Sequence, residues 1–326
     1  MKVESEFPTT LQGAIKYFSD EEKAFEFMKN IRWPDGKVCC PRCGGDKVSF
    51  VSTRKLWTCK ECKTKKQFTI RVGTILEDSP ISYDKWICAF WLIANAKNGI
   101  SSYEIGRALG VTQRTGWFML QRIRLAMQSG SIIKEKIGGI VEVDESYIGG
   151  KARNMHKHTK IGRGINGTGM AGKTAVMGLL ERHGPKHSRI IAEVLPKTPT
   201  KKALIGRVKK YVLLEAEVHT DALNSYNDLS KEFQHKVVDH AECYVKGNVH
   251  TNGSENFWSL LKRGIRGTYV SVEPFHLFRY LDEQVFRFNE RKNEAGDQGR
   301  FLKAMAGIIG KRLTWEKLTA DSYLPA

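Results

Sequence analysis

Ile140-Val141-Glu142-Val143-Asp144-Glu145-Ser146-Tyr147-Ile148, closed by Gly149-Gly150, is the segment around which the chain is organised. Val141, Val143, Tyr147 and Ile148 favour a pleated strand, and the two glycines stop it. Asp144 sits near the middle, where a buried strand normally carries an apolar residue. An ionised carboxylate there is costly unless a cation or a donor compensates it. Taken alone, the segment also fits a strand end with Asp144 and Glu145 facing water. Two later carboxylates, Asp221 and Glu255, tip the balance towards a functional acid.

Downstream of this strand, residues 151–173 are rich in Gly, Lys, Arg and His without regular spacing, which reads as a mobile basic loop. Strand-like runs follow at 175–180 and 189–195, Pro196 and Pro199 punctuate the chain, and a helix is expected over about 201–214. A short strand at 217–220 ends at Asp221. A helix through Tyr226 and Leu229 and a strand near 236–238 come next. Three strands, helix, strand, helix, strand and then more helix is the order of the ribonuclease H-like fold, an α/β class with a mixed central sheet and flanking helices. In that order the first and fourth strands are neighbours, so Asp144 and Asp221 would converge. Fold analogy licenses less than site chemistry does.

The third acid follows from periodicity. With about 3.6 residues per turn, a helix over 252–266 places Asn252, Glu255, Asn256, Ser259, Lys262, Arg263 and Arg266 on one face. Phe257, Leu260 and Leu261 take the other, so the helix is amphipathic, with Glu255 and Lys262 along one edge of the polar side. A solvated face looks similar, and periodicity by itself does not make Glu255 catalytic. Phosphodiester cleavage by hydroxyl attack, however, needs the nucleophile activated and the leaving 3′-oxygen stabilised, which two Mg²⁺ ions about 4 Å apart accomplish. Hard cations take oxygen ligands, and acids from three separate segments can hold such a pair while leaving positions open for substrate. In the expected arrangement Asp144 bridges the ions, Asp221 and Glu255 each complete one side, and Lys262 holds a phosphate; Mn²⁺ is an acceptable substitute. No serine, cysteine or histidine nucleophile has a comparable setting.

Upstream, Cys40-Pro41-Arg42-Cys43 is answered by Cys59-Lys60-Glu61-Cys62, with two residues inside each pair and fifteen between Cys43 and Cys59. Two such turns present four thiolates to one structural Zn²⁺. Cys39 is an alternative to Cys40, but only Cys40 keeps the two-residue gap. Lys47, Arg54, Lys55, Lys60, Lys63, Lys65 and Lys66 make this ribbon basic, with Phe50, Trp57 and Phe68 interleaved; the pattern suits phosphate contact or a solvated rim around a small core. Before the ribbon, Ser19 and Glu22 are spaced as a capping box that starts a helix through Ala24, Phe25, Phe27 and Met28. From 82 to 127 the pattern is helical. Ser101 and Glu104 form a second capping box, Gly110 makes a turn, and Thr112 caps a longer helix. Two helices about a short turn read as a helix-turn-helix, with Gln113, Arg114 and Thr115 placed for base edges and Arg122 further along the reading helix.

The chain carries 53 Lys plus Arg against 35 Asp plus Glu, a formal charge of +18, which points to a polyanionic partner. No run of about 18 apolar residues exists, so no membrane partner is expected. The charged N-terminus lacks the apolar core of a secretory signal, and a cytoplasmic, nucleoid-associated protein with reduced cysteines is expected.

Several of these motifs, taken together, resemble the bacterial insertion-sequence transposases of the DDE type. The resemblance rests on Cys40-Pro41-Arg42-Cys43, Val141 through Lys151, His219-Thr220-Asp221, and His250 through Gly264, and spans nearly the whole chain. Within that class it resembles the insertion-sequence family numbered fifteen ninety-five, which has an N-terminal zinc ribbon. The resemblance implies binding of terminal inverted repeats, metal-dependent strand cleavage, and transfer of the 3′-hydroxyl into target DNA, by a homo-oligomer assembled on the element ends. It implies Asp144, Asp221 and Glu255 as the catalytic acids with Lys262 and Arg263 on DNA. Some members of that family carry asparagine or histidine in the third position, so Asn252, on the same face, is the fallback. The expected organisation is an N-terminal helical segment (1–36), zinc ribbon (37–78), helix-turn-helix (79–130), ribonuclease H-like catalytic domain (137–293) and helical tail (294–326). Two other readings are a non-catalytic zinc-ribbon regulator and a ribonuclease H-like nuclease without strand transfer.

Overall fold

The fold is that of a computed structural model, described for residues 7–131, 135–150, 154–162, 165, 167, 170–183, 187–196, 199–221, 226, 228–238 and 248–320. The chain forms two compact units: Met1–Gly130 together with Lys292–Ala326, and Ser131–Arg291.

The first unit begins with α1 (Leu11–Phe18) and α2 (Glu21–Arg32). Asp20, not Ser19, caps α2, its carboxylate accepting from the backbone N–H of Glu22 at 2.8 Å and of Lys23 at 3.2 Å. Ser19 is unsuited to that cap because it has helical dihedrals and still donates its own N–H to Ile15 as the end of α1. An antiparallel sheet of β1 (Val48–Val51), β2 (Leu56–Cys59) and β3 (Gln67–Phe68) follows. Trp57 and Phe68 are buried and stacked 6.0 Å apart, and Trp57 stacks on Phe25 of α2 at 5.9 Å. Of the interleaved aromatics only Phe50 is exposed, and Lys60, Lys63, Lys65 and Lys66 form a solvated rim.

Helices α3 (Tyr83–Asn95), α4 (Ser102–Leu109) and α5 (Gln113–Ser131) come next. The Ser101–Glu104 capping box is formed in both directions, and Gly110 turns the chain at φ 60°. Thr112 Oγ1 accepts from the N–H of Thr115 at 3.2 Å, opening α5. The two helices touch where α5 carries Gly116; a methyl group there would lie 2.9 Å from the Ser102 carbonyl.

In the second unit β4 (Ile140–Ile148) is the middle strand of a five-stranded sheet. The stretch expected as a loop contains a short helix, α6 (Lys157–Gly162); its residues 151–153, 163–164, 166 and 168–169 lie outside the described residues. Then follow β5 (Thr174–Glu181), β6 (Arg189–Val194), α7 (Lys201–Tyr211), β7 (Glu217–Asp221) and β8 (Gln234–Val238). The helix expected through Tyr226 and Leu229 is a single 3-10 turn at Leu229–Lys231 where described. The sheet order is β6-β5-β4-β7-β8, with β4–β5 and β5–β6 antiparallel and β4–β7 and β7–β8 parallel. A parallel neighbour requires a crossover, and α7 is part of it. Val141, Val143, Met177, Leu179 and Val218 pack against Leu204 and Val208 of α7 on one face. On the other, Val176, Leu180 and Ile190 meet α8 (Asn252–Gly264) and α9 (Leu277–Asn289) through Phe257, Trp258, Leu261, Leu281 and Phe288.

The chain then returns to the first unit with α10 (Gly296–Ala306) and α11 (Trp315–Thr319). The stretch 294–326 is thus no separate body. Phe301, fully buried, lies 4.9 Å from the Trp91 ring and 5.7 Å from that of Phe27, closing the core of the first unit.

Candidate active site

Strand β4 supplies the centre of the site, and its neighbours explain why an acid is tolerated there. The parallel register pairs Glu142 with His219; two residues further along, Asp144 comes level with Asp221 at the end of β7. Adjacent strands lie about 4.8 Å apart, so the two carboxylates are neighbours. On the other side Asp144 pairs with Gly178 of β5. The missing side chain admits the indole of Trp258, since a Cβ at Gly178 would fall 2.8 Å from Trp258 Cζ2. Trp258 Nε1 in turn donates to Asp144 Oδ2 at 3.0 Å.

Helix α8 is held by a buried ionic cluster. Glu142, 1 % exposed, accepts from the Ser254 backbone N–H at 2.8 Å and from Arg182 Nε at 2.5 Å. Arg182 also donates to the Asn248 carbonyl at 2.8 Å and reaches His250 Nδ1 at 2.6 Å. Gly253 makes the approach possible, because a Cβ there would lie 2.9 Å from Glu142 Oε2. The first turn of α8, which carries Glu255, is thereby anchored to the strand that carries Asp144.

A cavity of about 520 Å³ opens between these elements, lined by Asp144, Glu145 and Ser146 of β4 and by Glu255, Trp258, Ser259, Lys262 and Arg263 of α8, with Arg266 just beyond it. Asn252 is exposed and is not among the described residues lining it. Burial, then the charge of Asp221, pushes the Asp144 carboxyl up to about 6; Glu255 adds to this and the Trp258 N–H opposes it. Glu145 is pushed up to about 8 by burial and then by Asp144 and Asp221, and neither of its carboxylate oxygens has a hydrogen-bond partner. Lys262 is lowered, first by burial and then by Arg266. Burial and carboxylate neighbours disfavour the charged forms of Asp144 and Glu145, a penalty that a cation bound beside them would relieve.

Among the described residues, the four cysteines are the one set of potential ligands whose ligating atoms all lie within 4.8 Å of one another. The acids are spread more widely. In the ribbon, Cys40 Sγ and Cys62 Sγ are 3.6 Å apart, as are Cys43 Sγ and Cys59 Sγ. Four thiolates about 2.3 Å from one tetrahedral zinc would be separated by nearly that distance. Cys39 stands outside the set, its thiol against the Lys37 carbonyl. Burial opposes ionisation of Cys40, but the backbone N–H groups of Arg42 and Cys43 together with the Cys62 and Cys43 thiols bring it down to about 7.

On α5, Gln113 Nε2 donates to Ser102 Oγ at 2.8 Å, Thr115 shares a hydroxyl contact with Thr112, and the Arg114 guanidinium lies 4.3 Å from the Trp315 ring. Arg122 departs from its expected role. It is 5 % exposed, donates to the Leu313 carbonyl at 3.2 Å and covers the Phe118 ring, so it is a packing residue and does not face DNA.

Residues 136–289 match the ISXO2-like transposase domain, and residues 19–65 match the transposase zinc-ribbon domain. The chain belongs to this transposase family. It is also 27 % identical over 289 residues to an uncharacterised protein in transposable element ISH50 of Halobacterium salinarum, covering 84 % of this chain and 94 % of that relative. The first domain match begins just before β4 and ends with α9, taking in Asp144, Glu145, Asp221 and Glu255; the second takes in all four ribbon cysteines. No described helix of the transposase is long and apolar enough to cross a membrane.

Sequence reasoning passed over three contributors to this site. Glu145 had a signal, because two successive residues of a strand point to opposite faces and both cannot face the same solvent. Gly178 had a weaker one, a lone glycine inside an apolar strand. The Glu142–Arg182 pair, forty residues apart, had none.

Proposed function

We propose that this transposase binds the terminal inverted repeats of its own element and catalyses metal-dependent strand cleavage followed by transfer of the 3′-hydroxyl into target DNA. The observation that carries the reading is the meeting of Asp144, Glu255 and Lys262 on one cavity, with Asp221 level with Asp144 on the adjoining strand. The strand order, with its antiparallel first three strands and parallel remainder, supports a ribonuclease H-like catalytic domain. Asp144, Asp221 and Glu255 would hold two Mg²⁺ ions, and bound there the ions would supply activation of the attacking hydroxyl and stabilisation of the leaving 3′-oxygen. Glu255 is favoured over Asn252 because it lines the cavity and acts on Asp144. Trp258 fixes the orientation of the Asp144 carboxylate through its N–H. Lys262 and Arg263 draw the phosphate backbone to the acids.

The zinc ribbon and the α4–α5 helix pair serve as the end-recognition part, a helix-turn-helix whose Gln113, Arg114 and Thr115 approach the bases. Assembly of more than one chain on paired ends, in the cytoplasm where the DNA lies, belongs to the same reading. The test is a strand-transfer assay with the element's own ends, with and without Mg²⁺. Asp144→Asn, Asp221→Asn and Glu255→Gln are each expected to abolish cleavage while sparing end binding. Near-normal cleavage by any of them removes that residue from the site, and cleavage of branched or hybrid substrates without preference for the ends favours a simple nuclease.

A further inference from the structure

A second cavity, of about 470 Å³, adjoins the carboxylate pocket and shares Lys262 and Arg266 with it. Its floor is apolar: Ile148 and Leu277 are buried members of the core, and Ile265 and Val272 pack partly against the same cluster. Cavities of roughly 300–1,000 Å³ hold small organic molecules, so this one admits a nucleoside and excludes a duplex.

The segment that forms its rim is irregular in two ways. Helix α8 passes directly into a π-helical turn, Ile265–Tyr269, a widened geometry found mostly at functional sites. Val270 then adopts φ 61° and ψ −54°, with the Ser271 N–H donating to the Tyr269 carbonyl at 2.6 Å. That is a γ-turn of the rare, strained hand, and for a β-branched residue the positive φ is a steric outlier. Val270 gains no compensating burial, being 78 % exposed beside the cavity. Backbone strain of this kind clusters at active sites, ligand clamps and switch regions.

We propose that this cavity receives one unpaired nucleotide of the DNA substrate, next to the phosphodiester held at the carboxylates, with Val270 as the apolar wedge that occupies the vacated stack. The inference rests on the transposase reading above. Three observations choose this occupant. Cationic Lys262 and Arg266 stand at the junction of the two cavities, where the nucleotide's own phosphate would lie. The cavity is continuous with the acids that would hold the adjoining phosphate. Its apolar floor suits the face of a base. Apolar side chains inserted between base steps unstack them at a cost of a few kcal/mol, which the cavity's contacts offset.

The experiment places 2-aminopurine, one position at a time, within three nucleotides either side of the cleaved bond in a duplex carrying the element end. Asp144→Asn protein, which binds without cutting, should brighten the probe several-fold at one position and leave the others at the duplex level. Val270→Gly should keep or raise the melting temperature, since glycine adopts positive φ without strain, yet reduce the brightening and slow cleavage by wild-type-background protein at least tenfold. Val272→Trp, which fills the cavity, should also slow cleavage, and an abasic site at the brightened position should restore it. If no position brightens on a duplex that the wild-type protein cleaves with Mg²⁺, the cavity does not take a base and the inference is overturned while the transposase reading stands. Failure of the wild-type protein to cleave that duplex sinks the transposase reading and the inference together.

Discussion

Removing the negative charge of Glu142 should loosen the second unit and helix α8 together. Glu142→Gln keeps the shape but leaves Arg182 buried without its carboxylate and weakens the acceptor of the Ser254 N–H. Breaking a buried ion pair from one side costs about 3–5 kcal/mol. Arg182 retains the Asn248 and His250 carbonyls, which places the expected loss at the lower end, about 3 kcal/mol. For a unit of this size that corresponds to a melting shift of roughly 6–12 °C. The second unit contains a single tryptophan, Trp258, among the seven of the chain, so ¹⁹F NMR of 5-fluorotryptophan-labelled protein follows its unfolding separately from the other unit. Arg182→Met should cost at least as much, because it strands a carboxylate, and Glu142→Leu combined with Arg182→Met should recover part of the loss. A shift of under about 1 kcal/mol for Glu142→Gln, or simple additivity in the double variant, would refute the account of α8 as tethered through this pair.

Other expectations follow from the site and the ribbon. Gly178→Ala drives a methyl group into Trp258 Cζ2 and should cost about 1–3 kcal/mol, with a displaced Trp258 ¹⁹F resonance and weaker Mg²⁺-dependent cleavage; an unmoved resonance would mean the indole does not need that gap. Asp144 and Glu145 stand at about 6 and about 8, above their ordinary values of 3.8 and 4.5, so both bind protons more tightly folded than unfolded. The stability they lend the metal-free protein is complete below about pH 4 and is lost as the pH rises through 6 and then 8. Mg²⁺ should therefore raise the melting temperature of the second unit more at pH 8 than at pH 5.5, and an equal rise at both would place the ions elsewhere. Cys43→Ser should reduce bound zinc from one atom per chain to none and weaken end binding without altering the ¹⁹F signal of Trp258; unchanged zinc content by atomic absorption would exclude Cys43 as a ligand.

What was legible in the chain was whatever short-range chemistry dictates. Two Cys-x-x-Cys turns, the Ser101–Glu104 box and the amphipathic stretch carrying Glu255 each announce themselves within about fifteen residues. The strand with Asp144 could be read from its β-branched residues. Its meaning came from Asp221, which lies level with it only because β7 is the parallel neighbour of β4. Contacts that depend on the third dimension were silent. Arg122 looks like a surface cation on a helix until Leu313 and Phe118 cover it. Gly178 matters through the volume it leaves to Trp258, and Glu142 through a partner that no spacing rule connects to it. Ser19 and Asp20 compete for one cap, and the choice was made by where α1 happens to end.

Phe301 gives the chain an order of completion during synthesis. The first unit lacks this ring, and with it the last piece of its interior between Trp91 and Phe27, until all of Ser131–Arg291 has left the ribosome. A product cut short after α9 would contain Asp144, Asp221 and Glu255 yet have an unfinished zinc-ribbon half. Competence to find DNA would then be the last property the nascent polypeptide acquires, so that incomplete copies are born without an address.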